Sequence, residues 1–539
     1  MVYLQSDYII TPLGEGVETN LTAIKHGESA LRLHTKVHGE ELVTPIMASL
    51  LDEAQYKMDG YTFFECLCIR AIEGALHGKT IDKDAIFILS STKGDIWCSM
   101  ADTATHIATY FGNSNSPIVV STACTSGVAA QIVAQRMIEC GQYNTAIVVG
   151  TDIQREFIIS GFQCLHALSG TMCKPFDKDR NGLNAGEAVA CMVLGKTPLE
   201  SGWTLMGGSI HNDANHISGP SRTAEGSLRC LEDMKKIIND EDLACISVHG
   251  TGTIYNDEME SLALTRAHLE RTPVSALKGY FGHTMGAAGL LETILSLHAV
   301  AQGDILPTKG FQQQGTTYKI NIDSALRHTN KKNIIKLLSG FGGVNAAVAW
   351  SQEDKSSCKI STDNCCLATQ WNTVAINTLN EKDDLLAIYK HLNIDYPKFY
   401  KMDLLTKLGF ISVELLINLI KTQSPDFVLD SEKSAVVIAN HSASIKNDTD
   451  FQKTIQDKNN YYPSPALFVY TLPNIVTGEL AIRHKIYGET DCYILTNPNE
   501  LQKLKQLYLN TTITQMIIGW VECKSETTYE AKVELIIKS

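Results

Sequence analysis

The sequence lacks the features that mark membrane, secreted and nucleic-acid-binding proteins. Its 539 residues contain no run of about 18 apolar residues without a charge, so we predict no membrane-spanning helix. The N-terminal segment MVYLQSDYIITPLG has an acid at position 7 and no long apolar core, which predicts neither a signal peptide nor a membrane anchor. Long runs of lysine or arginine are missing and the net charge is −13, so we expect no nucleic-acid partner.

Cysteine is abundant, but the cysteines lack the spacing of a disulfide framework or a metal site. The 15 cysteines form an odd set without regular spacing. Close pairs such as Cys66 with Cys68, or Cys365 with Cys366, lack the spacing of a zinc site. In a chain without a predicted secretion signal, such cysteines are typical of free thiols in a reducing compartment. We therefore expect a cytoplasmic protein with no structural metal.

The overall composition, 44% hydrophobic and 19% charged, is that of an ordinary globular protein. In residues 1–352, short apolar strands alternate with helical segments, which favours an α/β fold. A polar segment without periodicity follows over 353–366 and is predicted to be a linker. Residues 367–539 are poorer in glycine and rich in Asn, Lys and Tyr, and they form the second predicted domain.

The second domain resembles part of the first. The tetrapeptide Tyr56–Asp59 (YKMD) recurs at Tyr400–Asp403, and each copy is followed by a helical run and then by an apolar strand. A later strand, Ala146–Gly150 (AIVVG), has a counterpart in Gln515–Gly519 (QMIIG). Because the matches keep their order while their spacing drifts slowly, we interpret residues 367–539 as a diverged copy of one half of the first domain.

Cys124 is the most informative single residue. It follows a short apolar stretch predicted as a strand, Pro117–Ser121, and precedes a helical stretch, Val128–Cys140. A thiol at such a strand-to-helix turn lies near the positive end of the helix dipole, so we expect a lowered pKa for Cys124. A buried structural cysteine is the alternative interpretation of Cys124 taken alone.

Three further segments carry residues suited to thioester chemistry. They are VHGTGTIYND at Val248–Asp257, KGYFGHTMGAAG at Lys278–Gly289 and GFGGVN at Gly340–Asn345. His249 and His283 lie among glycines and small residues, so their imidazoles can reach a buried centre and donate from Nε2. The glycine turn of the third segment can present a backbone N–H to an oxyanion. Either histidine taken alone could instead be a satisfied core residue.

Taken in order, these motifs resemble those of the β-ketoacyl-acyl-carrier-protein synthases, a family of condensing enzymes with a thiolase-like fold. The family signatures are an ACxSG-type elbow around the cysteine, HGTxTxxND, KxxxGHxxGAAG and GFGGxN, and all four are nearly intact here. Phe176–Gly182, with Ala185–Glu187 after it, resembles a further family segment. The resemblance covers residues 1 to about 352. It implies an α/β fold with layered αβαβα architecture, followed by a thiolase-like half-domain in the C-terminal repeat.

The resemblance also implies a role for each matching residue. Cys124 would be the acylated nucleophile, His249 and His283 would stabilise an enolate, and Lys278 would support His283 electrostatically. The other implied site residues are the oxyanion-hole and gating residue Phe341, the phosphopantetheine-binding Thr251 and Thr253, and the structural anchors Glu187, Asp257 and Asn345. No metal and no organic cofactor is implied.

The implied activity is decarboxylative Claisen condensation of an acyl thioester with malonyl-acyl carrier protein, in fatty acid, polyketide or polyene-pigment chain elongation. A fused partner resembles the pairs used for aryl polyene or flexirubin pigments. The implied partners are an acyl carrier protein bearing phosphopantetheine and the acyl and malonyl thioesters. Two alternatives stay open: a transacylase or priming enzyme, and a non-catalytic scaffold that binds the acyl chain as a chain-length factor would.

The repeat departs from the family pattern at the nucleophile. Where the second copy should carry a cysteine, the chain has the segment Leu495–Glu500, and Cys492 lies in the strand before it. No second histidine-glycine cluster occurs in this part of the sequence. We therefore predict that residues 367–539 are a catalytically silent partner. The protein would then form either a homodimer or an intramolecular pseudo-dimer with its own C-terminal domain.

Overall fold

Three α/β units follow one another along the chain in the computed structural model, which describes residues 1–200, 202–352 and 370–539. The linker predicted over 353–366 lies outside the described residues. Within the described ranges, no helix is long and apolar enough to cross a membrane.

The first unit contains the predicted strand and helix on either side of Cys124. Its elements are β1 Val2–Thr11, β2 Gly14–Glu15, α1 Val17–Lys25, β3 Arg32–Val37, β4 Glu40–Ser49, α2 Phe63–Leu76, β5 Ala85–Ser90, α3 Met100–Tyr110, β6 Ile118–Val120, α4 Ser126–Glu139, β7 Thr145–Thr151, α5 Glu156–Cys164, β8 Ala185–Gly186 and β9 Val189–Gly195. The main sheet has the order β6–β5–β7–β9–β1, with β5 parallel to β6 and β7, and β9 antiparallel to both of its neighbours.

The second unit repeats this strand order. Its elements are β10 Thr204–Asn212, α6 Glu225–Lys235, β11 Leu243–Ser247, α7 Ile254–Arg266, β12 Pro273–Ser275, α8 Lys278–Phe281, α9 Ala288–Ala301, β13 Asp304–Ile305, β14 Asn321–Ile322, β15 Arg327–His328, β16 Asn333–Ser339 and β17 Val344–Ser351. The sheet order is β12–β11–β16–β17–β10, with β11 parallel to β12 and β16 and with β17 antiparallel to both of its neighbours.

The third unit has the strand order a third time. Its elements are β18 Trp371–Asn380, α10 Leu385–His391, α11 Leu404–Gln423, β19 Ser434–Asn440, α12 Ile445–Lys453, α13 Pro465–Val469, α14 Ile475–His484, β20 Glu489–Ile494, α15 Leu501–Gln506, β21 Gln515–Ser525 and β22 Thr528–Lys538. The order β20–β19–β21–β22–β18 has the same parallel and antiparallel pairings. The prediction of a thiolase-like half-domain is confirmed.

The first two units pack into the predicted αβαβα layers. Helices α4 and α9 are almost fully buried between the two sheets, while α2 and α3 cover one outer face and α6 and α7 the other. The two central helices approach closely at glycines: a Cβ on Gly289 would lie 2.4 Å from the backbone N of Val128. Any larger residue there would push the helices apart, and with them the turns that precede each helix.

The third unit extends the sheet of the first. Strand β20 pairs antiparallel with β6, Tyr493 opposite Val120 and Ile494 opposite Val119. Beside this junction, Arg136 of α4 forms a bidentate ion pair with Glu489, at 2.6 and 3.2 Å. The strand that leads into Cys124 is therefore covered along its outer edge by the chain's own repeat.

Candidate active site

Cys124 lies on a tight turn between β6 and α4. The turn is a 3₁₀ segment at Ala123–Thr125, and Ala123 has a left-handed backbone with φ of 53°, which residues other than glycine rarely adopt. Ser126 Oγ holds the turn, because it accepts the N–H of Thr122 at 3.0 Å and donates to the Ala123 carbonyl at 2.5 Å. The thiol thus sits on a fixed backbone at the wall of a cavity.

Both predicted histidines meet Cys124 at this turn. The Cys124 sulfur and one ring nitrogen each of His249 and His283 all lie within 4.8 Å of one another. The two imidazoles are nearly perpendicular, with ring centroids 5.1 Å apart. His283 Nδ1 accepts the backbone N–H of Met285 at 3.3 Å, which assigns the ring proton to Nε2. Among the described residues this Nε2 has no partner, so it can donate to a bound thioester.

A buried charge cluster lies behind the histidines. The Lys278 and Lys336 ammonium groups contact the two oxygens of Glu292 at 2.7 and 2.6 Å, and all three side chains are excluded from solvent. Lys336 also donates to the carbonyl of Val248, the residue before His249, at 3.0 Å. Because two cations share one carboxylate, the cluster keeps a net positive charge close to the imidazoles.

This surrounding keeps the imidazoles neutral. Burial lowers the pKa of both His249 and His283 well below the usual value, and the Lys278 ammonium lowers it further. Burial also raises the pKa of the Cys124 thiol to about 12, against the field of Lys278. The expected lowering of this pKa is therefore wrong. The cost of burying a thiolate outweighs the favourable field of the Lys278 ammonium.

A cluster of one thiol and two imidazoles also contains the ligand types of a metal site. The charge around it disfavours that use. Lys278 lies close enough to lower the pKa of both imidazoles, and it would repel a bound dication in the same way. The absence of a metal requirement stays a prediction.

Glu260 was missed by the sequence analysis. Its carboxylate accepts the backbone N–H groups of His249 and Gly250, at 2.5 and 2.8 Å, and so fixes the turn that carries the first histidine. Burial raises the pKa of Glu260 to about 7 despite these two bonds. In the sequence, Glu260 is one of several acids on α7, and nothing distinguishes it from a solvent-facing residue.

The three predicted anchor residues lie behind the cavity wall. Asp257 accepts the N–H of Phe176 at 2.7 Å, and Asn345 accepts the hydroxyl of Ser339 at 2.7 Å. Glu187 accepts two backbone N–H groups, each at 2.8 Å. All three are buried, and none of them lines the cavity.

The Gly340–Gly343 turn, between β16 and β17, packs directly on the nucleophile. A Cβ on Gly340 would lie 3.3 Å from the backbone N of Cys124, and Gly342 has a φ of 88° that favours glycine. The backbone N–H groups of Cys124 and Phe341 therefore belong to two adjoining turns. Such a pair of turns can supply the two donors of an oxyanion hole.

The third unit contacts this glycine turn, which the sequence analysis did not predict. Asn474, just before α14, donates from Nδ2 to the Phe341 carbonyl at 2.8 Å. Close by, a Cβ on Gly478 would lie 2.5 Å from the carbonyl oxygen of Gly342, so the two backbones are in contact. The backbone that carries Phe341 is thus held partly by the repeat.

The nucleophile opens onto a cavity of about 460 Å³. The predicted pantetheine-binding residues Thr251 and Thr253 line it, with their hydroxyl oxygens 2.9 Å apart. Phe341 lines it as well, and the third unit contributes Phe468, Thr471 and Leu472. The wall of the cavity is therefore shared between the first two units and the repeat.

The pH profile of activity should reflect the neutral imidazoles. Both histidine pKa values lie below that of free imidazole, so kcat/KM should stay level as pH falls through about 6.5. Lys278→Met removes one of the two buried cations that lower both pKa values, and the acid limb should then move to higher pH. An acid limb that does not move would contradict this assignment. The free energy of unfolding should also decrease below about pH 6.5, because unfolded histidines bind protons that the native ones do not.

Two family models match consecutive parts of this chain. Residues 80–198 match the family described as "Beta-ketoacyl synthase, N-terminal domain" and residues 204–312 match "Beta-ketoacyl synthase, C-terminal domain". The chain is 28% identical over 264 residues to nodulation protein E of Rhizobium leguminosarum bv. trifolii, covering 46% of this chain and 65% of that protein. It is 29% identical over 254 residues to 3-oxoacyl-[acyl-carrier-protein] synthase 2 of Coxiella burnetii, covering 44% and 61%. The chain spans 61 to 65% of the length of such curated relatives.

Solved structures show that the likeness in fold extends further than the likeness in sequence. The structure described as "PfaC Keto synthase-Chain length factor" matches 99% of this chain and 78% of its own, with a TM-score of 0.77 at 13% identity. The Xenorhabdus doucetiae ketosynthase ApeO, solved with its chain length factor ApeC, matches 65% of this chain and 97% of its own, with a TM-score of 0.57 at 23% identity. Residues 80–312 therefore contain the N- and C-terminal domains of a β-ketoacyl synthase with its thiolase-like fold, and a further C-terminal region follows them.

Proposed function

We propose that this protein extends an acyl chain by decarboxylative Claisen condensation with malonyl-acyl carrier protein. The observation that carries the proposal is the placement of one thiol and two neutral imidazoles within 4.8 Å of one another, at a cavity beside a glycine turn. The substrates would be an acyl thioester and a malonyl thioester of a carrier protein. The hydroxyls of Thr251 and Thr253 would bind the pantetheine arm.

In the first half-reaction, Cys124 attacks the acyl thioester. The thiol proton passes to the neutral imidazole of His249, because the Nε2 of His283 already carries a proton, and from there to the departing pantetheine thiolate. The tetrahedral oxyanion accepts hydrogen bonds from the backbone N–H groups of Cys124 and Phe341. The neutral resting thiol fits this sequence, because the proton has to leave only when the new C–S bond forms.

In the second half-reaction, the malonyl group loses CO₂, and the electron pair of the broken C–C bond forms an enolate. The enolate oxygen accepts hydrogen bonds from His249 and His283, which requires both rings to carry an N–H without a full charge. The enolate carbon then attacks the Cys124 thioester. The C–S bond breaks, the expelled Cys124 thiolate takes up a proton from solvent, and a β-ketoacyl carrier is released.

Incubation with acyl and malonyl carriers, read by mass spectrometry of the carrier and of the intact protein, tests this proposal. A condensing enzyme gives both an acyl adduct on Cys124 and a β-ketoacyl carrier. A transacylase or priming enzyme gives the adduct without the extended product, and a scaffold gives neither. Either of these results would overturn the proposed condensation.

For residues 370–539 we propose the role of a built-in second protomer. In support, the third unit pairs with β6, holds the Phe341 turn and contributes to the cavity. The turn after β20, at Pro498–Glu500, occupies the place that the Cys124 turn has after β6, and it contains no cysteine. The catalytic domain 1–352 and the silent domain 367–539 are proposed on this basis.

The intact chain should be a monomer in solution. The edge of β6, which an identical partner would need for strand pairing, is already occupied by β20. Size-exclusion chromatography with light scattering should give the mass of one chain over a range of concentrations. The Arg136→Glu variant, which opposes Glu489, should lower the Tm by loosening the junction. A concentration-independent dimer would contradict the pseudo-dimer.

A further inference from the structure

A series of aromatic rings leads away from the glycine turn, and its first three rings line the cavity while the last two pack behind them. Its rings contact one another in sequence, with neighbouring centroids 4.9 to 6.4 Å apart, in the order Phe341, Phe162, Phe468, Phe451, Phe157. The third and fourth rings belong to the C-terminal unit and the others to the first two units. At the far end of this series, the Lys93 ammonium lies 5.5 Å from the centroid of Phe157.

Lys93 places a charged group in the wall of the cavity, where a pocket for a hydrocarbon chain would have apolar side chains. The side chain lines the cavity and is buried, and its Nζ contacts Asp448 Oδ1 at 2.5 Å and Ser444 Oγ at 3.1 Å. An ammonium group has three N–H donors, so one of them is left. The adjacent residue Thr92 also lines the cavity, and its buried hydroxyl has no partner within the described part of the chain.

Stability alone does not account for this ion pair. Burial lowers the pKa of Lys93 and raises that of Asp448, so desolvation disfavours the charged form of both residues. Replacing a buried ion pair by apolar residues of similar size is often neutral or stabilising. This ion pair joins two units at the cavity and lies beside an unpartnered hydroxyl. Binding of a polar group of the substrate explains it more simply than stability does.

We propose that Lys93 and Thr92 form a subsite for an oxygen atom, a hydroxyl or a carbonyl, at the distal end of the acyl group carried by Cys124. The remaining Lys93 N–H donates to this oxygen, the Thr92 hydroxyl donates or accepts, and the cavity-lining rings of Phe341, Phe162 and Phe468 contact the carbon chain. A methyl-terminated chain of the same length would leave these polar groups unpaired, and a site built in this way rejects it. The inference rests on the proposed acylation of Cys124.

The test compares pantetheine thioesters in pairs, using the full chain. Each pair consists of a methyl-terminated acyl group and the ω-hydroxy acyl group with the same number of heavy atoms, in a series of increasing length. Acylation of Cys124 is followed by intact-protein mass spectrometry. At the length that reaches Lys93, the ω-hydroxy acyl group should react with a kcat/KM at least about tenfold higher.

Two variants separate recognition from folding. Lys93→Met should bring the ratio of the two rates close to one and speed the reaction of the methyl-terminated group. Thr92→Val should reduce the ratio without removing a charge. Lys446→Met, on the same helix as Asp448 but outside the cavity, should leave the ratio unchanged.

The outcomes distinguish this subsite from the proposed function. Acylation that proceeds with equal rates for both members of every pair, or with a preference for the methyl end, would overturn the subsite alone. A ratio unaffected by both Lys93→Met and Thr92→Val would also overturn it. Failure of every thioester to acylate Cys124 would overturn the proposed function and the subsite with it.

Discussion

Cys124→Ala should abolish the covalent acyl adduct and lower condensation by more than about 10³-fold, the scale seen when a nucleophile that acts with its neighbours is removed. The loss is expected because no other described cysteine sits beside two neutral imidazoles and a glycine turn. Intact-protein mass spectrometry after incubation with an acyl carrier measures it directly. Cys98→Ala is the matched control, because Cys98 is the exposed cysteine among the described residues and is open to non-specific acylation; its removal should leave the condensation rate unchanged.

The same variant separates the thiol from the histidines. Loss of CO₂ from the malonyl group needs donors for the enolate oxygen but no nucleophile, so Cys124→Ala should still decarboxylate malonyl carrier. His283→Ala, which removes the Nε2–H facing the site, should lose decarboxylation as well as condensation. An adduct that persists in Cys124→Ala, or full decarboxylation in His283→Ala, would contradict the assigned roles.

The sequence was sufficient to predict that Cys124, His249 and His283 lie together, because each of these residues sits on a local turn. A buried strand precedes the Cys124 elbow, each of the two histidine segments and the Gly340–Gly343 turn. Because neighbouring parallel strands end at the same edge of a sheet, the residues that follow these strands lie close together. The half-domain fold of the repeat could be predicted because its matches to the first unit, such as Tyr400–Asp403 with Tyr56–Asp59, keep their order along the chain.

What escaped prediction depends on contacts distant in sequence. The sign of the Cys124 pKa shift was wrong because the helix start is visible in the sequence, whereas the depth of burial is not. Lys336 and Glu260 are fully buried beside the histidines, but as isolated residues of a strand and a helix they have no signature. The contacts of Asn474 and Lys93 exist only because β6 pairs antiparallel with β20, and no local sequence pattern encodes that pairing.

The contact of Asn474 with the glycine turn bears on catalysis rather than on the helix that it precedes. Its side chain makes no capping bond to α14, and its Nδ2 donates instead to the Phe341 carbonyl. The N–H of the same residue, Phe341, is the proposed oxyanion donor, so a shift of the Phe341 backbone would misplace that donor. A misplaced oxyanion donor reduces kcat, while binding of the ground-state thioester is little affected.

Asn474→Asp should therefore lower kcat for condensation by about 10²-fold at neutral pH, with KM nearly unchanged. The substitution keeps the shape of the side chain but replaces an N–H donor by a carboxylate, which repels the Phe341 carbonyl. Protonation restores a donor, so activity relative to the unmodified protein should recover as pH is lowered. This recovery should be measurable, because the neutral histidines should keep the activity of the unmodified protein level over the same pH range.

Asn447→Asp is the matched control for this variant. Asn447 is also buried in the third unit and also donates from Nδ2 to a backbone carbonyl, that of Leu467 at 2.8 Å, but it does not touch the glycine turn. Both variants should lower the Tm to a similar degree, since each removes one buried hydrogen bond. Only Asn474→Asp should show the large, pH-reversible loss of kcat. Equal losses in the two variants, or a loss that does not respond to pH, would mean that the repeat merely stabilises the fold. The predicted difference would instead make Asn474 a positioning residue that the repeat supplies to a site whose nucleophile lies in the first unit.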